Sequence, residues 1–159
     1  MRVLLLALLA IVALVPFCGA GAGEVAGIAR VIDGDTLEIA GQRHRLHGLD
    51  APELRQTCSD ASGRPRRDWP CGRRAAAALV GLIGGRAVAC EIRGRGRYGR
   101  LISIRRVGLR DLGRWLVRLG WAMAYRRYSR DYVGDEAAAR AAGLGLWSGT
   151  FAMPWDWRR

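Results

Sequence analysis

The fold is decided by residues 25–49, VAGIARVIDGDTLEIAGQRHRLHGL, in which three runs of β-forming residues follow one another. The first run is Val25–Ile32 and the second is Thr36–Ile39. Asp33-Gly34 lies between them and favours a hairpin turn, because glycine accepts positive φ angles. The third run, His44–Leu49, follows a second glycine-containing turn. Three successive runs with such short connections predict an antiparallel meander.

The remainder of the chain supplies helices and two more strands. Arg73–Ile83 is rich in alanine, has leucine and isoleucine at helical spacing and is followed by two glycines, which predicts a helix. Five strands with a helix after the third suit a small closed barrel of the OB type, so we expect a mainly β (α+β) fold with about three packed helices. The further predicted elements are strands Arg86–Ile92 and Leu101–Arg106 and helices Asp111–Leu119 and Val133–Ala142.

Residues 1–22 have the features of a cleaved signal peptide, with Ala20-Gly21-Ala22 as the cleavage site. An uncleaved membrane anchor is the alternative, because residues 3–23 carry no charge and a span requires about 20 apolar residues. Cleavage is favoured because the strongly apolar part stops at Phe17. We therefore expect one mature domain, residues 23–159, that is secreted or periplasmic, has no stable membrane span and is a monomer.

The charge of the chain indicates the class of its partner. All 26 basic residues are arginine, against 14 acidic residues, for a net charge of +12. Such a charge attracts polyanions, and nucleic acid is the obvious class. Because lysine is absent, part of this arginine content reflects overall composition, so an arginine near a motif is weak evidence by itself.

The cysteines agree with an exported protein. Cys58 and Cys71 flank a polar stretch without periodicity, which predicts a surface loop. A bond between them would restrain that loop and contribute roughly 3 kcal/mol. Cys90 alternates with Val88 and Ile92 on one face of a strand, which favours a buried free thiol, although pairings that involve Cys90 remain open.

Three segments group acids and arginines beside tight turns: Asp33-Gly34-Asp35-Thr36, the run from Arg45 through Asp50-Ala51-Pro52-Glu53, and Arg97-Tyr98-Gly99-Arg100. In this order and spacing they resemble the staphylococcal (thermonuclease-like) nuclease family, from about Ala26 to Ser148. The resemblance implies an OB barrel with packed helices. It also implies a secreted Ca²⁺-dependent enzyme that cleaves DNA and RNA with little sequence preference and leaves 3′-phosphate ends.

The resemblance implies that Asp35, Asp50 and the main-chain carbonyl of Ala51 bind the metal. Two carboxylates and a carbonyl are ligands that suit Ca²⁺. The family has threonine where this chain has Ala51, and a carbonyl ligand survives that change. For Asp33, ordinary turn chemistry is a sufficient explanation.

By the same resemblance, Glu53 is the general base that activates water, and Arg45 and Arg100 contact the scissile phosphate. Pro52 keeps its segment out of a central strand, so the Glu53 carboxylate is expected to project from a loop. Guanidinium groups stay charged and offer paired donors to phosphate oxygens. Taken alone, Asp50 and Glu53 could also be a solvated acidic turn or a glycosidase-like pair.

Tyr98 and Tyr125 match tyrosines near the nucleotide site of the family, where they would stack or contact phosphate. For Tyr125, packing is an equally good interpretation. His44 and His47 are expected to serve strand packing or to be exposed. Two departures affect substrate preference: Gly96 stands where the family has an acid, and the loop between Cys58 and Cys71 is inserted after Glu53.

Two other classes of function remain as alternatives. One is a noncatalytic OB-fold module that binds single-stranded nucleic acid through charge and aromatic stacking. A pure binder of polyanions would gain nothing from acids in its groove, so Asp35, Asp50 and Glu53 argue against it. The other is a structural domain whose charge only keeps it soluble, which salt-sensitive binding of nucleic acid would exclude.

Overall fold

A computed structural model describes residues 25–60, 67–96 and 99–159. The predictions for the signal peptide and for Tyr98 lie outside these residues. Within the described ranges, we find no helix that combines the length and the apolar character needed to cross a membrane.

A closed barrel of five strands forms the body of the protein. The strands of the chain are β1 (Val25–Val31), β2 (Thr36–Ile39), β3 (Gln42–Leu46), β4 (Leu49–Asp50), β5 (Cys58–Asp60), β6 (Asp68–Trp69), β7 (Ala87–Arg95), β8 (Leu101–Val107), β9 (Arg110–Asp111), β10 (Met123–Ala124) and β11 (Gly149–Thr150). The barrel order is β3-β2-β1-β7-β8, and parallel pairing of β3 with β8 closes it. This confirms the predicted OB-type α+β fold. The predicted third strand is split because Gly48 adopts a positive φ of 71°.

In the part of the chain that the structure describes, four α-helices accompany this barrel: α1 (Cys71–Ile83), α2 (Leu112–Arg118), α3 (Val133–Ala141) and α4 (Pro154–Trp157). Helix α1 buries Ala75, Leu79 and Leu82 and ends at Gly84, whose φ of 55° is left-handed. Asp111, predicted as the first residue of α2, is its N-cap and accepts hydrogen bonds from the amides of Gly113 and Arg114.

A second apolar cluster lies outside the barrel and receives the end of the chain. Its buried members are Cys58, Cys71, Met123 and Leu146. The residues packed against it include Trp69, Trp147, Phe151, Met153 and Trp155. The C-terminal segment, residues 151–159, is thus part of the folded domain.

The cysteines are oxidised. Cys58 and Cys71 form a disulfide between β5 and the first residue of α1. Cys90 is buried and is also disulfide-bonded. The prediction of a free thiol at Cys90 is therefore wrong. Alternation along a strand predicts burial, which suits a thiol and a disulfide equally.

Candidate active site

The turn after β1 is packed onto the segment that follows β4. Gly34 lies so close to Ala51 that a Cβ atom at position 34 would be 2.7 Å from the Cβ of Ala51. The main-chain amide of Ala51 donates to Oδ2 of Asp35 at 3.2 Å, and the amide of Leu46 donates to the Asp35 carbonyl at 2.8 Å. Two distant turns are therefore joined, and Asp35 lies beside Asp50.

Arg45 connects the two aspartates from β3. Its Nη2 lies 2.8 Å from Oδ2 of Asp35 and also contacts Oδ1 of Asp50. The side chains of Asp35 and Asp50 are 5% and 0% exposed. Burial would lower the pKa of Arg45, but the charges of Asp35 and Asp50 outweigh it, so that the pKa is raised. Two buried carboxylates thus converge on one cation.

Burial also acts on the neighbouring acids. It raises the pKa of Asp33 to about 6, with help from the charge of Asp35. Oδ1 of Asp33 accepts the amide of Asp35 at 3.0 Å, which is the turn contact expected of Asp33. The pKa of Asp50 is raised by burial as well, against the lowering effect of its hydrogen bond from Arg158. The site therefore concentrates negative charge that needs cationic partners.

Glu53 lies on a loop that Gln56 fixes. The Gln56 amide donates to the Glu53 carbonyl at 2.7 Å, and the Glu53 amide donates to Oε1 of Gln56 at 3.3 Å. The Gln56 carbonyl in turn accepts the amide of Gly72 at 3.2 Å, at the start of α1. The Glu53 side chain is 38% exposed. The loop is rigid at its backbone, while its carboxylate reaches solvent.

Arg158 enters the site from the other end of the chain. Its Nη2 lies 2.6 Å from Oδ2 of Asp50, and its Nη1 lies 2.6 Å from Oε1 of Glu53. Burial would lower the pKa of Arg158, and the hydrogen bonds to the two carboxylates more than reverse that effect. Sequence reasoning missed this residue. The aromatic residues just before Arg158 indicate that this segment packs on the protein, but they do not indicate which residues Arg158 contacts.

Tyr125 stands beside the acids because β10 pairs with β4. The register places Met123 opposite Asp50, and the Tyr125 amide donates to the Gly48 carbonyl at 2.9 Å. The Tyr125 ring is stacked on Trp155, with centroids 5.4 Å apart and planes 7° apart. One face of the predicted substrate-binding ring is therefore covered by the C-terminal segment.

Arg100 lies further along the same wall. The parallel register pairs Arg45 with Ile102. Arg100 comes two residues before Ile102, so it lies about 7 Å from this pair along the strand direction. It makes no described contact with the carboxylates. Instead it lines a cleft of about 590 Å³ whose walls are Gln42, Arg43, Arg95, Gly99, Arg100 and Leu101. This cleft, called the arginine cleft below, is a basic surface that adjoins the Arg45 site.

The histidines lie outside this constellation. His44 is fully buried in the barrel, and neither ring nitrogen has a hydrogen-bond partner among the described residues. Burial and the charge of Arg105 lower the pKa of His44 to about 4. Nε2 of His47 lies 3.3 Å from Asp131. Neither ring is joined to Asp35, Asp50 or Glu53 by a described contact.

The donor set fits a hard divalent cation. Asp35 and Asp50 offer oxygen ligands, which Ca²⁺ prefers, and both carboxylates reach the same nitrogen of Arg45. Across residues 25–60, 67–96 and 99–159, no group of three or more His, Cys, Asp and Glu side chains is arranged to hold a metal. Main-chain oxygen, such as the Ala51 carbonyl, and water would have to complete the coordination.

Comparison with known proteins gives a consistent result. A family model described as staphylococcal nuclease homologue matches residues 43–149. Succinoglycan biosynthesis protein ExoI of Rhizobium meliloti (strain 1021) is 40% identical over 132 residues, covering 80% of this chain and 68% of that protein. An uncharacterized endonuclease of Escherichia coli O157:H7 is 32% identical over 139 residues, with 82% of each chain covered. Micrococcal nuclease of Shigella flexneri is 30% identical over 150 residues, with 83% and 79% covered.

The matched range contains Arg45, Asp50, Glu53 and Arg100. Asp35 lies ahead of that range, and Arg158 lies beyond it. The barrel, the convergent carboxylates and the family match agree with one another, and the chain belongs to the staphylococcal nuclease family.

Proposed function

We propose that this protein is a Ca²⁺-dependent nuclease that hydrolyses phosphodiester bonds of DNA and RNA and leaves 3′-phosphate ends. The observation that carries the proposal is the convergence of Asp35, Asp50 and Arg45 beside Glu53. A barrel that only binds polyanions has no use for two buried carboxylates on its binding face, whereas a metal-dependent hydrolase requires them.

In the proposed site, Asp35, Asp50 and the Ala51 carbonyl hold Ca²⁺. When bound, the cation supplies positive charge that offsets the charge gathered on the phosphate. The chain contributes the remaining chemistry. In the structure, Arg45 bridges Asp35 and Asp50.

Glu53 acts as the general base. Its half-exposed carboxylate accepts a proton from water, the water oxygen forms a bond to phosphorus, and the bond from phosphorus to the 5′-oxygen breaks. The phosphate stays on the 3′-oxygen, and the 5′-oxygen leaves as a hydroxyl after protonation by solvent. The hydrogen bonds with Gln56 support this role, because they fix the backbone from which Glu53 projects.

Arg45 and Arg100 bind the phosphate and stabilise the additional negative charge of the transition state. Arg45 lies at the carboxylates, and Arg100 directly precedes the neighbouring strand β8, about 7 Å further along the strand direction. A phosphodiester between them would meet one guanidinium from β3 and one from the residue before β8. Tyr98 and Tyr125 are proposed to contact the nucleotide.

We also propose that residues 1–22 are removed on export, that the mature monomer acts outside the cytoplasm, and that Asp35 and its partners belong to the mature domain of residues 23–159. The Cys58–Cys71 disulfide supports an oxidising compartment. N-terminal sequencing of protein recovered from a periplasmic or culture fraction would test this. A mature chain that starts at Gly23 supports export with cleavage, and a chain that starts at Met1 contradicts it.

The decisive experiment is digestion of single-stranded DNA, double-stranded DNA and RNA by the wild-type chain, in Ca²⁺ or in chelator. Arg45→Ala and Glu53→Gln are compared with Glu38→Gln, a surface carboxylate paired with Arg30. We expect Ca²⁺-dependent cleavage that the first two substitutions reduce at least a hundredfold and that Glu38→Gln leaves unchanged. Salt-sensitive binding without cleavage would instead make the protein a binding module.

A further inference from the structure

The most unexpected contact of the site is the one made by Arg158. It reaches Glu53, 105 residues earlier in the chain, and Asp50, 108 residues earlier. With Arg45 on Oδ1 and Arg158 on Oδ2, both oxygens of Asp50 are engaged by guanidinium groups. A divalent cation that takes Asp50 as a ligand would compete with these two guanidinium groups for the charge of the carboxylate.

The C-terminal segment is anchored independently of Arg158. Trp155 stacks on Tyr125, the side-chain amide of Gln56 donates to the Ala152 carbonyl at 2.7 Å, and Phe151 packs on the second apolar cluster. Pro154 is buried. The backbone that carries Arg158 therefore stays at the site when the guanidinium reorients.

Arg158 is also the arginine with the greater freedom. Its side chain is 35% exposed, against 21% for Arg45. Arg45 is fixed within β3 between its two strand neighbours. When a cation approaches Asp50, electrostatic repulsion acts on both guanidinium groups, and the exposed Arg158 meets less resistance to movement.

We propose that Arg158 is a third phosphate-binding arginine of the site. In the structure it is the counter-ion of Asp50 and Glu53. With a cation held by Asp35 and Asp50, Arg158 would release both carboxylates, which would free Glu53 to accept a proton from water, and it would take a non-bridging oxygen of the phosphodiester. The inference rests on the proposed nuclease function.

The position of the phosphate follows from the position of the base. A water molecule hydrogen-bonded to Glu53 can attack only a phosphorus atom within a few ångströms of it. Arg158 already lies 2.6 Å from the same carboxylate. Any phosphodiester in place for attack therefore lies within reach of this guanidinium, which pairs with phosphate as readily as with carboxylate.

The test compares Arg158→Ala and Arg158→Lys with Arg159→Ala. Arg159 is the matched control, because it is the neighbouring arginine, is 81% exposed and pairs with Asp156 on the surface. Each variant is made in the Glu53→Gln background, so that DNA remains intact. Calorimetry measures Ca²⁺ affinity, and fluorescence anisotropy measures binding of a short single-stranded oligonucleotide with Ca²⁺ or with chelator.

We expect Arg158→Ala to bind Ca²⁺ several-fold more tightly, because a competing cation is removed. Its affinity for the oligonucleotide in Ca²⁺ should fall about tenfold, as for loss of one charged hydrogen bond. The slope of log affinity against log salt should become shallower by about 0.7, as for loss of one phosphate contact on a single strand. In chelator, Arg158→Ala and the control should bind alike, and Arg158→Lys should be intermediate in Ca²⁺.

Unchanged or tighter DNA binding by Arg158→Ala in Ca²⁺, with faster cleavage when Glu53 is restored, would overturn the proposal. The C-terminal segment would then inhibit the site. Should Arg158→Ala fail to fold, Arg158→Lys against Arg159→Ala still separates the two outcomes. Absence of cleavage by the wild-type chain would contradict the proposed function but not the role of Arg158. The two binding measurements do not depend on cleavage.

Discussion

Gly72 lies directly against the main chain of Glu53: a Cβ atom added at position 72 would be 1.8 Å from the Glu53 carbonyl oxygen and 2.7 Å from its carbon. No flexible side chain can yield there, because the obstructing atoms belong to the backbone. The first turn of α1 and the loop of the proposed base are therefore in close contact. Only glycine permits this approach.

Replacing Gly72 by alanine should displace the Glu53 loop. We expect kcat to fall at least tenfold and the thermal midpoint to fall by several degrees. Gly81→Ala is the control in the same helix, because a Cβ atom there meets nothing within 4 Å. It should raise the free energy of unfolding by up to about 1 kcal/mol, since alanine is the better helix former. Equal activity of the two variants would contradict the prediction.

His44 predicts a specific loss of stability in acid. Its pKa in the folded protein is lowered to about 4 by burial and by Arg105, below the ordinary value of 6.5. The unfolded chain therefore binds a proton between pH 6.5 and pH 4 that the folded chain does not. The stability that comes from keeping His44 neutral is fully present above pH 6.5. As the pH drops to 4, the free energy of unfolding falls by roughly 3 kcal/mol.

Urea unfolding of His44→Leu at several pH values between 7 and 4 checks this. The variant should lose less stability than the wild type across that interval. Parallel curves for His44→Leu and the wild type would show that the buried ring does not govern the acid response.

The Cys58–Cys71 disulfide should stabilise the folded protein and the base loop together. It closes a ring with a sequence separation of 13 residues. The double variant Cys58→Ser, Cys71→Ser should lose roughly 3 kcal/mol of unfolding free energy. Gln56 lies two residues before Cys58, accepts the amide of Gly72 directly after Cys71 and contacts Glu53, so kcat should fall more than KM rises. A loss of stability with unchanged kcat would separate the disulfide from catalysis.

Arg43 and Arg95 line the arginine cleft together with Arg100. Unlike Arg100, these two arginines should contribute to substrate binding without taking part in chemistry. Arg43→Ala and Arg95→Ala should each raise KM for long single-stranded DNA a few-fold, leave kcat unchanged and make the salt dependence shallower. Arg110→Ala, on the short strand β9, is the control. Dinucleotide substrates should show no effect, because they are too short to enter the cleft.

The fold was accessible from the sequence because its signals are local. Alternation and glycine-containing turns gave the five barrel strands, and Gly84 ended α1 where it was expected to end. The structure also brings Asp35 and Asp50, the two acids that the resemblance singles out, onto one nitrogen of Arg45. The strands and helices depend on residues that are close in sequence. The arrangement of the strands follows from the OB-type barrel, which their number and order indicate.

The contacts of Arg158 and the state of Cys90 were not accessible in the same way. Arg158 contacts two carboxylates that lie more than a hundred residues earlier in the chain. Its position depends on how Trp155 packs on Tyr125. No periodicity encodes such a contact. The alternation of apolar residues around Cys90 predicts only that the sulfur is buried, not whether it is oxidised. In both cases the missing information is tertiary packing.

The parallel pairing of β3 with β8 has a consequence for the order of events during folding. Arg45 lies on β3 and Arg100 directly precedes β8, and these two strands meet only when the barrel closes. Strands so distant in sequence pair late because closing a long loop costs chain entropy. A chain that has formed only its local hairpin of β1 and β2 has no complete phosphate site. Catalytic competence would then arise in a single late step, and a nascent or partly unfolded chain could not cleave the nucleic acids of the cell that makes it.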